Sequence, residues 1–194
     1  MSIVSFIVIA IALGISFMLL MQRCADAAPV PLSSGLLISL TMAVVQAALF
    51  CAGISLGNML RFELPGDPEA FARPNAFIFL GMSIFVAAKM LWPYMGRKTK
   101  PASFDLNAGT LRVLLFTVAA GINGFLLGLG AGFVASLAAH LHGALWPMLV
   151  AVFLLSYLGI MYGRQHVKLR PRRWMVASAL ILIVTAIAAV VNAG

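Results

Sequence analysis

Residues 3–21 of the chain read IVSFIVIAIALGISFMLLM, an apolar stretch without a single charged side chain. A transmembrane helix needs about 20 mostly apolar residues, so this stretch is long enough to cross the hydrocarbon core of a bilayer. No Lys or Arg precedes Arg23, and a signal peptide has a basic start and an apolar core of only about 7–15 residues. We therefore expect a retained first membrane helix.

Five further apolar segments follow, and the composition of the whole chain agrees with them. The chain is 63% hydrophobic and 9% charged, whereas about a quarter of the residues of a soluble domain are charged. Membrane-spanning segments are helices or closed barrels, and the alternating ten-residue pattern typical of barrel strands does not occur here. The predicted fold class is an all-α integral membrane protein with six transmembrane helices in a single membrane domain, 1–194. The predicted spans are Ser2–Gln22, Ser34–Asn58, Ala76–Tyr94, Leu111–Ala138, Ala144–Gly163 and Trp174–Val191.

Basic residues are distributed unevenly between the two sides of this predicted bundle. The side formed by the connections after the first, third and fifth spans holds ten of them, whereas the opposite side holds Arg61 and Arg73. Because short cytoplasmic loops carry the excess of Lys and Arg, we expect both termini outside the cytoplasm, in a cell membrane such as the bacterial inner membrane. The ten residues are Arg23, Arg97, Lys98, Lys100, Arg112, Arg164, Lys168, Arg170, Arg172 and Arg173.

The net charge of +8 is explained by these loops, which face anionic headgroups. It therefore does not indicate a nucleic-acid partner. Lys89 is different, because it lies inside the third span, about a turn and a half before its basic end. Its side chain can extend to the membrane interface, or it can face the interior of the bundle.

The two halves of the chain resemble each other. Gly14-Ile15-Ser16 in the first span matches Gly121-Ile122-Asn123 in the fourth, 107 positions later. Gly53 and Gly57 in the second span match Gly159 and Gly163 in the fifth, 106 positions later. Each half has three spans, so the second half must enter the membrane in the opposite orientation. We therefore predict two inverted three-helix repeats, 1–100 and 107–194, and inverted repeats place substrate sites where the halves meet near the bilayer midplane.

Small residues recur with four-residue spacing in three of the spans. Such ridges let helix backbones approach closely, and they also permit a helix to bend or open around a substrate. We keep both roles, helix packing and hinge, for glycines of these ridges and for Gly121 beside one of them. They are Gly53, Gly57, Gly121, Gly124, Gly128, Gly159 and Gly163.

Polar side chains inside the spans are candidates for a substrate path, since they are costly in lipid. Asn123 and Gln46 are the most informative, because a carboxamide removed from water needs several hydrogen-bond partners. They can instead join helices to one another. Ser16 and Ser156 can each bond the carbonyl group four residues earlier in their own helix.

The chemistry of a resident metal site is weakly represented. All five acidic residues are expected in loops, and hard divalent cations prefer carboxylate oxygens. His140 and His142 are close enough to share a metal but lack a third ligand nearby. The sequence also lacks the GxSxG, HExxH and phosphate-loop motifs of enzymes, so we expect no enzymatic activity and no resident cofactor.

The order of these motifs resembles the MntP-type manganese exporters within the LysE-like exporter group. Ser156-Tyr157-Leu158-Gly159-Ile160-Met161-Tyr162-Gly163 is similar to the family's Ser-x-x-Gly-x-x-x-Gly. Gln46 followed by Gly53 and Gly57 is similar to its Gln/Glu…Gly-x-x-x-Gly, and Lys89-Met90 is similar to a basic-Met pair near the end of its third helix. The resemblance implies six helices in two three-helix repeats and export of a divalent cation.

The chain departs from this family at the residues that meet the metal. The family's aspartate in the fourth helix falls on Asn123, and that of the first helix falls on Ser16 or Met18, depending on register. The family's proline in the second helix falls on Phe50.

We therefore expect a small secondary transporter that exports a small cation such as manganese, or another small solute, by alternating access. Asn123, Ser16, Met18, Gln46 and Ser156 are the predicted transport path. The expected partners are the lipid bilayer and the transported solute, and the sequence leaves open whether the chain forms a homo-oligomer. The alternative is a non-transporting membrane protein, a partner or assembly subunit on the same scaffold. A polar cavity at Asn123 would favour transport, and a packed, dry interface between the halves would favour the alternative.

Overall fold

The computed structural model describes residues 3–28, 30–61, 71–95, 104–106, 109–139, 141–167 and 169–192, and within them it contains helices and no strands. Six of the helices are long and apolar enough to cross a membrane, which confirms the prediction of an all-helical fold with six candidate membrane spans. The helices are α1 (Ile3–Ala27), α2 (Leu32–Met59), α3 (Ala72–Met95), α4 (Thr110–Phe133), the short α5 (Ala135–Ala138), α6 (Leu141–Arg164) and α7 (Pro171–Val191).

The largest differences from the predicted helix boundaries lie at the ends of α4 and α1. The fourth span was expected to continue to Ala138, but α4 ends at Phe133 because Val134 has an extended backbone, with φ −89° and ψ 107°. Glycines have low helix propensity, so Gly130 and Gly132 weaken the last turn of α4 and favour the end of the helix at this point. The first helix continues beyond Gln22 to Ala27. Asp26 therefore lies in the last turn of α1, and the prediction that every acidic residue lies in a loop is wrong for this one.

The long helices pack in two principal pairs, α1 with α6 and α2 with α4. The contacts show that the helices of the α1–α6 pair run parallel, because Gly159 lies against the carbonyl oxygen of Met18 and Gly163 against that of Gln22. The pairs are joined by a contact between α2 and α6. Helix α3 packs on α4 and α7, and α7 also contacts α1.

The α2–α4 pair is closed by the same kind of contact. Gly53 lies against the carbonyl oxygen of Phe125, and Gly57 lies against that of Leu129. From the other side, Gly128 lies against the carbonyl oxygen of Phe50. A β-carbon at any of these glycines would collide with backbone rather than with a movable side chain. Backbone-to-backbone packing therefore holds this pair, as expected where lipid provides no hydrophobic drive between helices.

These parallel pairs determine which helix ends lie on the same side of the bundle. The C-terminal ends of α1, α3 and α6 meet the N-terminal ends of α2, α4 and α7. We call this side the basic end, because it holds Arg23, Arg112, Arg164 and Arg173 at the ends of four helices. The opposite side is called the far end.

A glycine at the helix contacts is expected to be far less replaceable than a glycine facing outward. Gly159→Ala places a methyl group against the Met18 carbonyl, and overpacking of this kind costs about 1–3 kcal/mol of stability. Gly81→Ala is the matched control, because no atom lies within 4 Å of the new methyl group, and replacing a helical glycine with alanine stabilises by up to about 1 kcal/mol.

The measurement is the thermal unfolding of the two purified variants in the same detergent. We expect a lower Tm for Gly159→Ala and an unchanged or higher Tm for Gly81→Ala. Equal Tm values for the two variants would contradict the α1–α6 contact described above.

Candidate functional site

A cavity of about 230 Å³ lies among α1, α3, α4 and α7. Two of the polar residues that line it, Ser16 and Asn123, lie near the middle of α1 and α4. Two others, Arg23 and Lys89, lie near the basic ends of α1 and α3. The cavity therefore extends from the centre of the bundle to its basic end.

The positions of the lining residues follow from helical periodicity. Ser16, Leu20 and Arg23 are four and then three residues apart, so their side chains lie on one face of α1. Lys89 and Pro93 are four residues apart on α3 and form the facing wall. Met175 on α7 closes the side, and the other lining residues are apolar or small.

The carboxamide of Asn123 is the polar group at the inner end of the cavity. One of its two polar atoms, placed as the oxygen, is cut off from solvent and has no hydrogen-bond partner among the described residues, whereas the other is not cut off in this way. One end of this carboxamide is therefore sealed in the bundle and the other faces the cavity, where a carboxamide can donate or accept hydrogen bonds. The Ser16 hydroxyl donates to the carbonyl oxygen of Leu13, at 2.7 Å, and can rotate toward a ligand.

The charge of the cavity comes from Arg23 and Lys89. Arg23 is half-buried and Lys89 is exposed, so their cationic groups lie at the mouth rather than at the closed end. No acidic side chain occurs among the described residues that line the cavity. The described lining therefore carries basic side chains toward the basic end and neutral polar side chains at the centre of the bundle.

Three of the residues predicted for the transport path lie elsewhere. Gln46 is buried in the α2–α4 contact, with its carboxamide against Gly121 and Gly124. Met18 is buried where α1 meets α6, and Ser156 is fully buried on α6. The structure therefore brings Ser16 and Asn123 to one cavity and leaves Gln46, Met18 and Ser156 outside its lining.

The side-chain hydrogen bonds expected for the two serines also need correction. Ser16 bonds the carbonyl three residues back rather than four. The hydroxyl of Ser156 makes no hydrogen bond with the described residues, and neither polar atom of the Gln46 carboxamide does so. The close glycine packing beside Gln46 leaves this side chain buried without a polar neighbour, a costly arrangement for a carboxamide.

Sequence reasoning did not identify Arg23 as part of the site and left Lys89 open between two roles. The signal for Arg23 was present, because it lies seven residues after Ser16, two turns along the same helix face. The structure places Lys89 at the mouth of the cavity, which agrees with parts of both interpretations: its ammonium group is exposed, and its side chain lines the interior wall.

Metal-binding side chains do not cluster in the part of the chain that the structure describes: no three His, Cys, Asp or Glu residues lie together there. The predicted pair of His140 and His142 lies outside the described side chains. Comparison with known proteins gives no match to a family model, to a curated protein or to a solved structure. The resemblance to the MntP-type exporters therefore stays a prediction.

The two carboxamides predicted for the path are expected to differ in accessibility. In a background with Cys24→Ala and Cys51→Ala, a cysteine introduced by Asn123→Cys should react with a water-soluble thiol reagent from the basic end. A cysteine introduced by Gln46→Cys should stay unreactive, because that side chain is 1% exposed.

The measurement is the mass increase of each purified variant after labelling in vesicles. Labelling of a fully denatured sample provides the control for total thiol. Equal labelling at the two positions would contradict the cavity as described.

Proposed function

We propose that this chain is a small secondary transporter whose two inverted three-helix repeats carry a small solute through the cavity at Asn123. The observation that carries the proposal is a polar cavity, open at one end of the bundle, with residues from both halves at its centre. A packed, dry interface would have favoured the alternative of a non-transporting partner or assembly subunit.

The inverted-repeat part of the proposal is supported by the helix contacts. In an inverted repeat, α1 corresponds to α4, α2 to α6 and α3 to α7. When the helices are exchanged in this way, the α1–α6 contact becomes the α2–α4 contact, and the α1–α7 contact becomes the α3–α4 contact. The α2–α6 and α3–α7 contacts each map onto themselves. The set of contacts between long helices is therefore the one that two equivalent halves would produce.

The same correspondence extends to individual residues. The contact of Gly159 with Met18 corresponds to the contact of Gly53 with Phe125. Gly159 follows Gly53 by 106 positions, and Phe125 follows Met18 by 107. The second glycine of each ridge repeats this relation. Gly163 lies against Gln22, and Gly57 lies against Leu129.

A third equivalent pair lies outside the ridges. Gly14 faces the side chain of Leu155, and Gly121 faces that of Leu49. Three contacts thus agree with the two offsets found in the sequence. By the same offset Ser16 corresponds to Asn123, so the two polar groups at the centre of the cavity occupy equivalent positions in the two halves.

Alternating access requires one end of the path to be closed while the other is open, and the two ends differ in this way. Ala119 lines the cavity at the basic end, whereas its equivalent Ala12 is fully buried. The Ala12 carbonyl accepts a hydrogen bond of 2.7 Å from the Ser178 hydroxyl on α7. Similarly, Arg23 lines the open end, while its equivalent Gly130 is packed against Phe79 and Met82 of α3.

A transporter of this kind would use an ion gradient for coupling. The excess of basic residues at one end favours a cytoplasmic basic end, with both termini outside, in a cell membrane. Manganese or another small cation stays one proposed substrate class, through the resemblance described above.

The proposal is tested by access to the centre of the cavity from both sides. With Asn123→Cys in the cysteine-free background, a membrane-impermeant thiol reagent should label the protein in right-side-out vesicles and in inside-out vesicles. A protein that does not alternate should be labelled from the basic end alone. Gln46→Cys provides the negative control in both preparations.

Ser178→Ala should shift this balance. The substitution removes the hydrogen bond that joins α7 to α1 just beyond the cavity, a loss of about 1 kcal/mol in a typical case. We expect labelling of Cys at position 123 from the far end to become about fivefold faster, with little change in Tm. Thr185→Ala is the matched control on α7, because the Thr185 hydroxyl bonds the Ile181 carbonyl within its own helix. Equal labelling rates for the two variants would contradict the role given to Ser178.

A further inference from the structure

We propose that an anionic phospholipid binds in a groove on the outward face of α7, where two arginines hold its phosphate and an apolar stripe receives its acyl chains. The groove has a volume of about 470 Å³, and its lining residues are Arg172, Arg173, Val176, Ala177 and Leu180. None of them lines the cavity among α1, α3, α4 and α7. The inference is therefore independent of the proposed transport function.

The groove follows from the helical periodicity of α7. Arg172, Val176 and Leu180 are each four residues apart, and Arg173 and Ala177 form a second row beside them. All five residues are exposed, whereas the opposite face of α7 is buried where the helix contacts α1 and α3. The groove therefore opens outward from the bundle, toward the lipid of a surrounding bilayer.

The two ends of the groove lie at different depths in such a bilayer. Helix α7 has 21 residues, so at 1.5 Å per residue it is about 31 Å long, close to the thickness of the hydrocarbon core. Its first turn, with the two arginines, therefore lies at the level of the headgroups. The adjacent Trp174 is exposed, as an interfacial anchor would be. Leu180 lies about 12 Å further along the axis from Arg172, within the hydrocarbon.

The charge of the groove is confined to its headgroup end. Helix α7 carries no basic residue after Arg173, and the rest of the lining is apolar. A guanidinium group binds phosphate oxygens through two parallel hydrogen bonds, and basic side chains near the surface of a membrane attract anionic lipids. A zwitterionic lipid gains less, because its own cation lies beside the phosphate. Headgroup charge above and acyl chains below match the order of groups along this face.

Acidic side chains do not enter the groove in the part of the chain that the structure describes. Asp26 lines a separate cavity with Pro171, and its carboxylate is 2.6 Å from Nδ1 of His166. Asp105 has interactions of its own and is not among the lining residues. Both guanidinium groups of the groove are exposed, so they are accessible to a headgroup.

The experiment measures lipid contact at Trp174, which directly follows the two arginines. In the full chain with Trp92→Phe and Trp146→Phe, Trp174 is the only tryptophan left. This parent is reconstituted into bilayers with equal amounts of phosphatidylglycerol and phosphatidylcholine, and in each sample one of the two lipids is brominated on the acyl chains close to the headgroup. Bromine quenches tryptophan fluorescence on contact. We expect a preference for phosphatidylglycerol of about twentyfold, since each guanidinium contributes about fivefold.

Charge variants of the parent locate the effect. Arg173→Gln should lower the preference about fivefold, and Arg173→Lys, which keeps the charge, should retain most of it. Arg112→Gln is the matched control, because Arg112 is also exposed and is also the third residue of a long helix that begins at the basic end. It lies outside the groove, and its removal should change the preference at Trp174 by less than about twofold.

Equal quenching of Trp174 by the two brominated lipids in the parent would overturn the inference. A preference that survives in full in Arg173→Gln would do so too, and an equal loss in Arg112→Gln would assign the effect to net charge rather than to the groove. Each variant is compared with the parent by Tm. If Arg173→Gln unfolds early, Arg172→Gln takes its place with the same expected loss. Two-sided labelling of Cys at position 123 is unaffected by these outcomes, so the transport proposal is tested separately.

Discussion

Backbone contact at glycine is the constraint on which the rest of this structure depends. Lipid tails are as apolar as the side chains of the helices, so the bundle gains little from hydrophobic burial between its members. Close approach replaces that drive, and it occurs where Gly53 and Gly57 meet α4 and where Gly159 and Gly163 meet α1. These contacts set the register and the parallel direction of the two principal helix pairs.

The cavity lies where this tight packing stops. Its wall is shared by α1 and α4, one helix from each principal pair, together with α3 and α7. Tightly packed pairs are suited to move as units, because their contacts are backbone to backbone and tolerate little sliding. The proposed path is closed at the far end by few interactions, such as the hydrogen bond that the Ser178 hydroxyl on α7 donates to the Ala12 carbonyl on α1. The proposed transport function would depend on this division between the tightly packed pairs and the cavity beside them.

The sequence was sufficient to predict the membrane class, six long helices and the glycine ridges, because these depend on length, hydropathy and spacing. It was also sufficient to single out Ser16 and Asn123, which the structure brings to one cavity, while their role in transport stays a prediction. The end of α4 at Phe133 was missed, since apolar composition continues through Val134 into α5. Gln46 and Ser156 were placed in the path because helices that are apolar on every side do not reveal which face turns inward.

The central claim of the proposal is that the cavity at Asn123 opens at one end of the bundle when it closes at the other, which requires α1 and α4 to separate at one end and approach each other at the other. Pulsed electron paramagnetic resonance measures it directly, with spin labels at exposed residues. Ala27 and Leu115 report on the basic end, and Val4 on α1 and Ala135 on α5, which directly follows α4, report on the far end. Two populations are expected in lipid bilayers. One has a long distance at the basic end and a short distance at the far end, and the other has the reverse. When conditions change the ratio of the two populations, the distances at the two ends should therefore change in opposite directions. A single, unchanging distance at each end would contradict it.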